Sequence, residues 1–191
     1  MSRNSSPNTA LKNILLTLVL LAVFLIVAIP FKVMNVIPGF TDISPVSLMQ
    51  PVYGIFFGIP GCIAFAIGNL IGDIASDSLR WSSIAGFAAN FLGPFIFYIF
   101  WTRISKTPFS LRTGKDLLKQ IAVTAVSAIV QAGLITPAVE MIYPEVGSVL
   151  FAATVLLNNS VFPIMLGIPL MILMQEELGF KPLAHRKEQS A

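Results

Sequence analysis

The sequence predicts an all-α integral membrane protein: a six-transmembrane-helix bundle with an outward-facing pocket and both termini in the cytoplasm. Three observations carry this. First, 55% of the 191 residues are hydrophobic and only 11% are charged, whereas a soluble domain carries roughly 25% charged residues. Second, the apolar residues fall in long blocks, several near the ~20 residues a helix needs to cross a bilayer. Third, ten of the 12 basic residues fall on one side of the predicted spans.

The elements follow from the blocks and their breaks. A first helix is predicted over about Leu11 to Ile29, ended or bent by Pro30. Its apolar run is long for a signal peptide and ends without a small-residue cleavage pattern, so it reads as a retained helix. Residues 31–45 are mixed in polarity, with Pro38-Gly39 as a turn signal, and read as a structured loop. A short block from Val46 to Ile59 contains Pro51 and is broken at Pro60-Gly61; a third runs from Cys62 to Ile74. Two short helices joined by a tight turn is the favoured reading, a re-entrant hairpin the alternative. A fourth helix is predicted over Ile84 to Trp101, a fifth over Ile121 to Ile142 and a sixth over Ser148 to Met174, with Pro163 and Pro169 inside the last. Residues 1–174 thus form the membrane domain and 175–191 a polar, mobile cytoplasmic tail.

Charge sets the orientation. Arg3 and Lys12 precede helix one; Arg103, Lys106, Arg112, Lys115 and Lys119 lie between helices four and five; Lys181, Arg186 and Lys187 lie in the tail. Only Lys32 and Arg80 fall in the other loops. Lys and Arg concentrate in cytoplasmic loops, and an even number of helices puts all three basic regions on one side. Loops 31–45, 73–83 and 143–147 then face outward.

Small residues recur at intervals of four: Gly54 and Gly58; Ala64, Gly68 and Gly72; Ala85, Ala89 and Gly93; Ala128 and Ala132. That spacing lets helix backbones approach closely. Packing within the bundle is the commoner use, contact with another subunit the other.

Polar side chains inside the blocks are few, and each is costly in lipid. Asn69, Asp73, Asn90, Gln131, Asn158 and Asn159 are the candidates, with Glu140 near the outer end of helix five. Singly, each could serve as an interhelical hydrogen bond. Together they suggest a pocket in which Asn90, Gln131, Glu140, Asn158 and Asp73 contact a solute while Trp81 and Tyr143 close over it. Interface anchoring is the competing role for both aromatics. Asn159 is rotated about 100° from Asn158, so Asn158 is taken to face the solute. Asp42, Asp73, Asp77, Glu140 and Glu145 outnumber the outer basic residues, which favours a neutral or cationic solute.

No catalytic constellation is visible. The single histidine, His185, lies in the tail, and the single cysteine, Cys62, lies in an apolar block. No metal-ligand cluster, nucleophile elbow or P-loop is present, so no cofactor is implied and ATP-driven transport would need other chains. Lipid is the implied environment, and nothing points to nucleic acid.

Ile29-Pro30-Phe31, Ile37-Pro38-Gly39-Phe40 and Ile43-Ser44-Pro45 are followed by Pro51-Val52-Tyr53-Gly54-Ile55-Phe56-Phe57-Gly58-Ile59-Pro60-Gly61, then Gly68-Asn69-Leu70-Ile71-Gly72-Asp73 and Ala89-Asn90-Phe91-Leu92-Gly93. In this order, from about Ile29 to Met174, the chain resembles the substrate-binding S components of energy-coupling factor (ECF) transporters. The resemblance implies a six-helix protein that captures a vitamin or related micronutrient in an outward pocket capped by the loops after helices one, three and five. It also implies a membrane coupling subunit and two cytoplasmic ATPases as partners. One departure is that many members carry Ala-x-x-x-Ala on the first helix, whereas Ala22 and Ala28 here are six apart. Two other classes remain open at this point: a self-sufficient secondary transporter, and a structural membrane protein without a ligand.

Overall fold

The computed structural model describes residues 7–31, 35–37, 41–42, 44–105 and 107–183. Helix α1, Pro7–Ala28, continues through a 3-10 turn, Ile29–Phe31. Its buried stripe is Leu20, Phe24 and Ala28, spaced four apart, and most of its remaining surface is exposed apolar side chain. Such a helix packs one face on protein and leaves a broad apolar face uncovered. Two short strands, β1 (Asn35–Ile37) and β2 (Thr41–Asp42), pair antiparallel, with Asn35 opposite Asp42 and Ile37 opposite Thr41. The predicted loop is therefore a hairpin, and the expected Pro38-Gly39 turn lies outside the described residues.

The next segment is helical but short. A 3-10 turn (Pro45–Leu48), helix α2 (Met49–Val52) and a π-type turn (Tyr53–Phe57) run consecutively. At about 1.5 Å per residue this reaches only roughly 20 Å, too little to cross a bilayer. It is buried along nearly its whole length and occupies the middle of the bundle. Ser44 and Ser47 meet Asn158 at its start; Gly54 meets the Pro94 carbonyl further on. The Tyr53 hydroxyl donates to the Leu20 carbonyl at 2.7 Å, which ties the segment to α1.

The chain then turns at Gly58, whose φ of 61° lies in the left-handed region that glycine enters without a Cβ clash. The turn was expected at Pro60-Gly61. Both residues instead sit at the start of α3, Ile59–Ala75, where proline's missing N–H has no intrahelical acceptor to lose. Phe24 of α1 lies over Gly68 of α3 and meets Phe65 edge-on, ring centroids 4.9 Å apart.

Helix α4, Ser83–Ile99, carries Pro94 and continues through a π-type turn, Phe100–Ile104. Helix α5, Gly114–Ile142, begins well before the expected Ile121. The cause is a capping pair: Thr113 accepts the Asp116 N–H at 3.2 Å and donates to the Asp116 carboxylate at 2.8 Å. A turn at Pro144–Val146 leads to α6, Ser148–Phe162. A π-type turn at Pro163–Gly167 accommodates the first proline, and α7, Ile168–Glu176, continues the rod.

Helices α1, α3, α4, α5 and α6 pack each against the next, around the central segment 45–57. Four helical rods are long and apolar enough to cross a membrane: Asn8–Phe31, Ser83–Ile104, Gly114–Ile142 and Ser148–Glu176. Helix α3 is apolar but shorter. The described residues thus form a mostly helical bundle of six helical segments of unequal length, four of them long and apolar enough to cross a membrane.

One end of the bundle is fixed by Arg112, whose guanidinium grips the Glu176 carboxylate through two bonds of 2.8 and 3.0 Å. The 105–113 loop and the end of α7 therefore share a face. The first part of the expected mobile tail is docked on that face as well. Gly179, φ 66°, reverses the chain, the Phe180 N–H bonds to the Met174 carbonyl, and Phe180 meets Phe57 edge-on at 6.3 Å.

Candidate functional site

The opposite end of the bundle holds a cleft of about 600 Å³. Leu70 of α3 forms one wall, with Leu79, Arg80 and Trp81 from the following loop. Ser83, Ile84 and Phe87 of α4 form another, and Tyr143 closes it from the end of α5. Local structure builds this rim. Asp77 takes a φ of 54°, its N–H bonds to the Ile74 carbonyl, and the Ser78 N–H bonds to the Asp73 carbonyl, which turns the chain off α3. The Arg80 N–H then bonds the Ser83 hydroxyl at 3.1 Å as α4 begins. Trp81 is left 75% exposed, so its indole is available to whatever enters. The volume falls within the roughly 300–1,000 Å³ of small-molecule sites, and the mostly apolar wall with a few polar groups is also typical of them.

Well below the cleft lies a closed polar network. The Gln50 and Gln131 side chains exchange hydrogen bonds: Gln50 Nε2 to Gln131 Oε1 at 3.2 Å, and Gln131 Nε2 to Gln50 Oε1 at 2.9 Å. Gln50 Nε2 also donates to Asn159 Oδ1 at 2.6 Å, and Asn159 Nδ2 to the Val155 carbonyl. Gln131 Nε2 reaches Ser127, whose hydroxyl donates to the Gly93 carbonyl. The central segment is thus hydrogen-bonded to α5 and α6, and α5 to α4. Gly93 makes the room, since a Cβ there would lie 2.8 Å from Gln50 Oε1 and 2.9 Å from Gln131 Nε2. Gln131 lies about 18 Å along α5 from Tyr143, at about 1.5 Å per residue.

The residues expected to form a pocket therefore separate. Trp81 and Tyr143 both line the cleft. Gln131 is 1% exposed and its amide is used within the bundle. Asn158 Oδ1 accepts the Ser44 N–H, and its carbonyl accepts the Ser47 hydroxyl, so this residue seats the start of the central segment. Asn90 donates to the Gly86 carbonyl of its own helix. Glu140 is exposed, Asp73 is half-buried, and neither is among the described residues of the cleft wall.

Gln50 was missed by sequence reasoning, although a lone amide between Met49 and Pro51 in an apolar block was a usable signal. Arg80 entered only as a count of charge; it is the one charged side chain among the described wall residues. Ala22 of α1 is exposed while Ala28 is buried, so the two do not form one contact stripe. The small-residue motifs serve packing inside the bundle where their contacts are described: Gly54 on Pro94, Gly68 on Phe24, Gly93 on the amide pair. Among the described residues no three His, Cys, Asp or Glu side chains converge as metal ligands would. The chain matches no protein-family model, no curated protein and no solved structure.

Proposed function

We propose that this protein is the solute-capturing membrane subunit of an ATP-driven importer of the ECF type. It takes a vitamin or related micronutrient into the cleft between α3, α4 and α5. A membrane coupling subunit and two cytoplasmic ATPases then drive its import. In this reading all six helical segments belong to the membrane domain, both termini are cytoplasmic, and the cleft faces outward in the cell membrane.

The observation that carries the reading is the meeting of Trp81 and Tyr143, from two separate interhelical loops, over one cleft of small-molecule size. The loops after the third and fifth helices are those that the S-component resemblance expects to cap a pocket. The chain also carries no P-loop of its own, so ATP-driven uptake calls for nucleotide hydrolysis by other chains.

The test is to purify the full chain and identify by mass spectrometry any small molecule it retains. Adding that molecule to emptied protein should raise the melting temperature, because ligand bound only to the folded state stabilises it. Pull-down from a host that encodes ECF modules should bring ATPase subunits with it. Concentrative uptake by the lone protein in liposomes would overturn the proposal in favour of a secondary transporter. Absence of any retained or stabilising solute would favour a structural protein.

A further inference from the structure

We infer that residues 138–146 form a lid on the cleft, hinged at Gly133–Pro137 in α5 and at Gly147 before α6, so that Tyr143 swings toward and away from Trp81. The inference uses the geometry of the cleft rim alone and assumes no solute.

The first hinge follows from the backbone chemistry of α5. Pro137 lies inside the helix. It has no N–H, so the Gly133 carbonyl four residues back loses its usual donor, and the proline ring crowds that carbonyl. A neighbouring threonine can mend such a gap in a membrane helix, because its hydroxyl reaches carbonyls three and four residues back. Thr124 on the same helix makes a bond of this kind, donating to the Gln120 carbonyl at 2.9 Å. The Thr136 hydroxyl, three residues beyond Gly133, does not: its oxygen is buried and has no hydrogen-bond partner among the described residues. Gly133 adds slack, since it carries no side chain and a Cβ there would meet nothing within 4 Å.

The two sides of this point are held differently. Below it, the Ser127 hydroxyl donates to the Gly93 carbonyl and Gln131 exchanges bonds with Gln50, which fixes α5 to α4 and to the central segment. Above it, Val139 packs with Phe151 and Val155 of α6 in a small cluster separate from the main core, and Tyr143 and Val146 pack against that cluster. Apolar contact is non-directional, so the segment can slide over α6 without losing it. At the far end stands Gly147, whose φ of 74° lies in the left-handed region and whose Cβ position has nothing within 4 Å. Two hinges thus bracket one short segment, and it carries Tyr143 into the cleft wall. Tyr143 lies beyond Pro137 by a lever of roughly 9 Å, at about 1.5 Å per residue. A change of about 20° in the proline bend would move it roughly 3 Å. A gap of about 1 Å already forfeits up to half of a van der Waals contact.

Pairs of spin labels test the motion directly, by double electron–electron resonance on the full chain in detergent. In a Cys62→Ala background, labels at Ala75→Cys and Glu145→Cys report across the rim, from the end of α3 to the lid. Labels at Ala75→Cys and Val130→Cys report from the same reference to α5 below the hinge. All three positions are exposed.

The 75–145 distance distribution should be broader than the 75–130 distribution by about 3 Å. Pro137→Ala restores the missing N–H and should narrow the 75–145 distribution to the width of the control pair, leaving the control unchanged. Gly133→Ala, which has room for its methyl group, should narrow it in the same direction and by less. Melting temperature verifies that each variant is folded, and Gly133→Ala decides the matter if Pro137→Ala does not fold. A 75–145 distribution as narrow as the control in the parent protein overturns the lid. So does one that substitution leaves equally broad in folded protein. Either result leaves the capture reading standing, because no solute enters the test. A chain that shows the motion and retains no solute keeps the lid and loses the capture reading.

Discussion

Gln50 and Gln131 form a reciprocal amide pair inside the bundle, each donating to the other, and both are about 1% exposed. The pair joins the central segment 45–57, which is too short to span, to α5, which is long enough to do so. Removing Gln131 leaves Gln50 Oε1 without its donor away from water, while Gln50 Nε2 keeps Asn159. Gln131→Leu should therefore destabilise the protein by about 1–3 kcal/mol. The double variant Gln50→Leu/Gln131→Leu should cost less than the two single variants added together. A coupling energy of about 1 kcal/mol is expected, since hydrogen bonds between membrane helices average ~0.6 and reach ~1.7 kcal/mol. Reversible unfolding in mixed micelles measures this. Strictly additive single variants would show that the pair is not coupled.

Gly54 and Gly133 make opposite predictions from the same substitution. A Cβ at Gly54 would run into the backbone carbonyl of Pro94, with the Phe97 Cβ also within 3.1 Å. Backbone cannot swing away as a flexible side chain can, so Gly54→Ala should cost about 1–3 kcal/mol or more through overpacking. A Cβ at Gly133 meets nothing within 4 Å. Gly133→Ala should be neutral or stabilise α5 by up to about 1 kcal/mol, the difference in helix propensity. Equal melting temperatures for the two variants would mean that the central segment is not pressed against α4.

The sequence made the long helices legible because block length and proline or glycine breaks are local signals. Helices α4 and α6–α7 begin and end within a few residues of expectation. The start of α5 was misjudged because charge was read as loop, when Thr113 and Asp116 cap a helix that projects beyond the apolar block. The position of the 45–57 segment was not legible, because a short apolar run looks alike whether it is plugged into a bundle or partly inserted in lipid. Polar partners were not legible for a similar reason. Asn158 and Asn159 do face different ways, as 3.6 residues per turn requires, but periodicity alone could not say which faced what. Asn159 meets Gln50, and Asn158 holds Ser44 and Ser47. Trp81 and Tyr143 stood out in the sequence as aromatic residues near loops, although interface anchoring would place them there as well.

The proposed orientation predicts a labelling pattern. Cys62 is fully buried, so its thiol should resist reagents, and Cys62→Ala removes any residual signal. In that background, Ala75→Cys and Glu145→Cys lie at exposed positions on the cleft end, and Thr107→Cys lies at an exposed position on the Arg112–Glu176 end. An impermeant thiol reagent added to intact cells should modify positions 75 and 145. Position 107 should react only after permeabilisation. Labelling of 107 in intact cells would invert the topology and turn the cleft toward the cytoplasm.

The last prediction concerns the docked end of the chain. Phe180 lies edge-on to Phe57, and Leu183 approaches Gly58 so closely that a Cβ there would lie 2.6 Å from its Cδ1. These contacts cover the turn between the central segment and α3. An aromatic pair contributes about 0.5–1.5 kcal/mol beyond its area, and Phe180 is still 40% exposed, so the docking is shallow. Phe57→Ala removes the partner without altering the tail itself. If docking protects the tail, chymotrypsin should cut after Phe180 slowly in the parent protein and roughly fivefold faster in the variant. That factor corresponds to about 1 kcal/mol in the opening equilibrium when opening is fast relative to cleavage. The melting temperature checks that the bundle remains folded, since Phe57 also meets Tyr53 at 6.1 Å. Equal cleavage rates in folded parent and variant would show that Phe57 does not hold the tail.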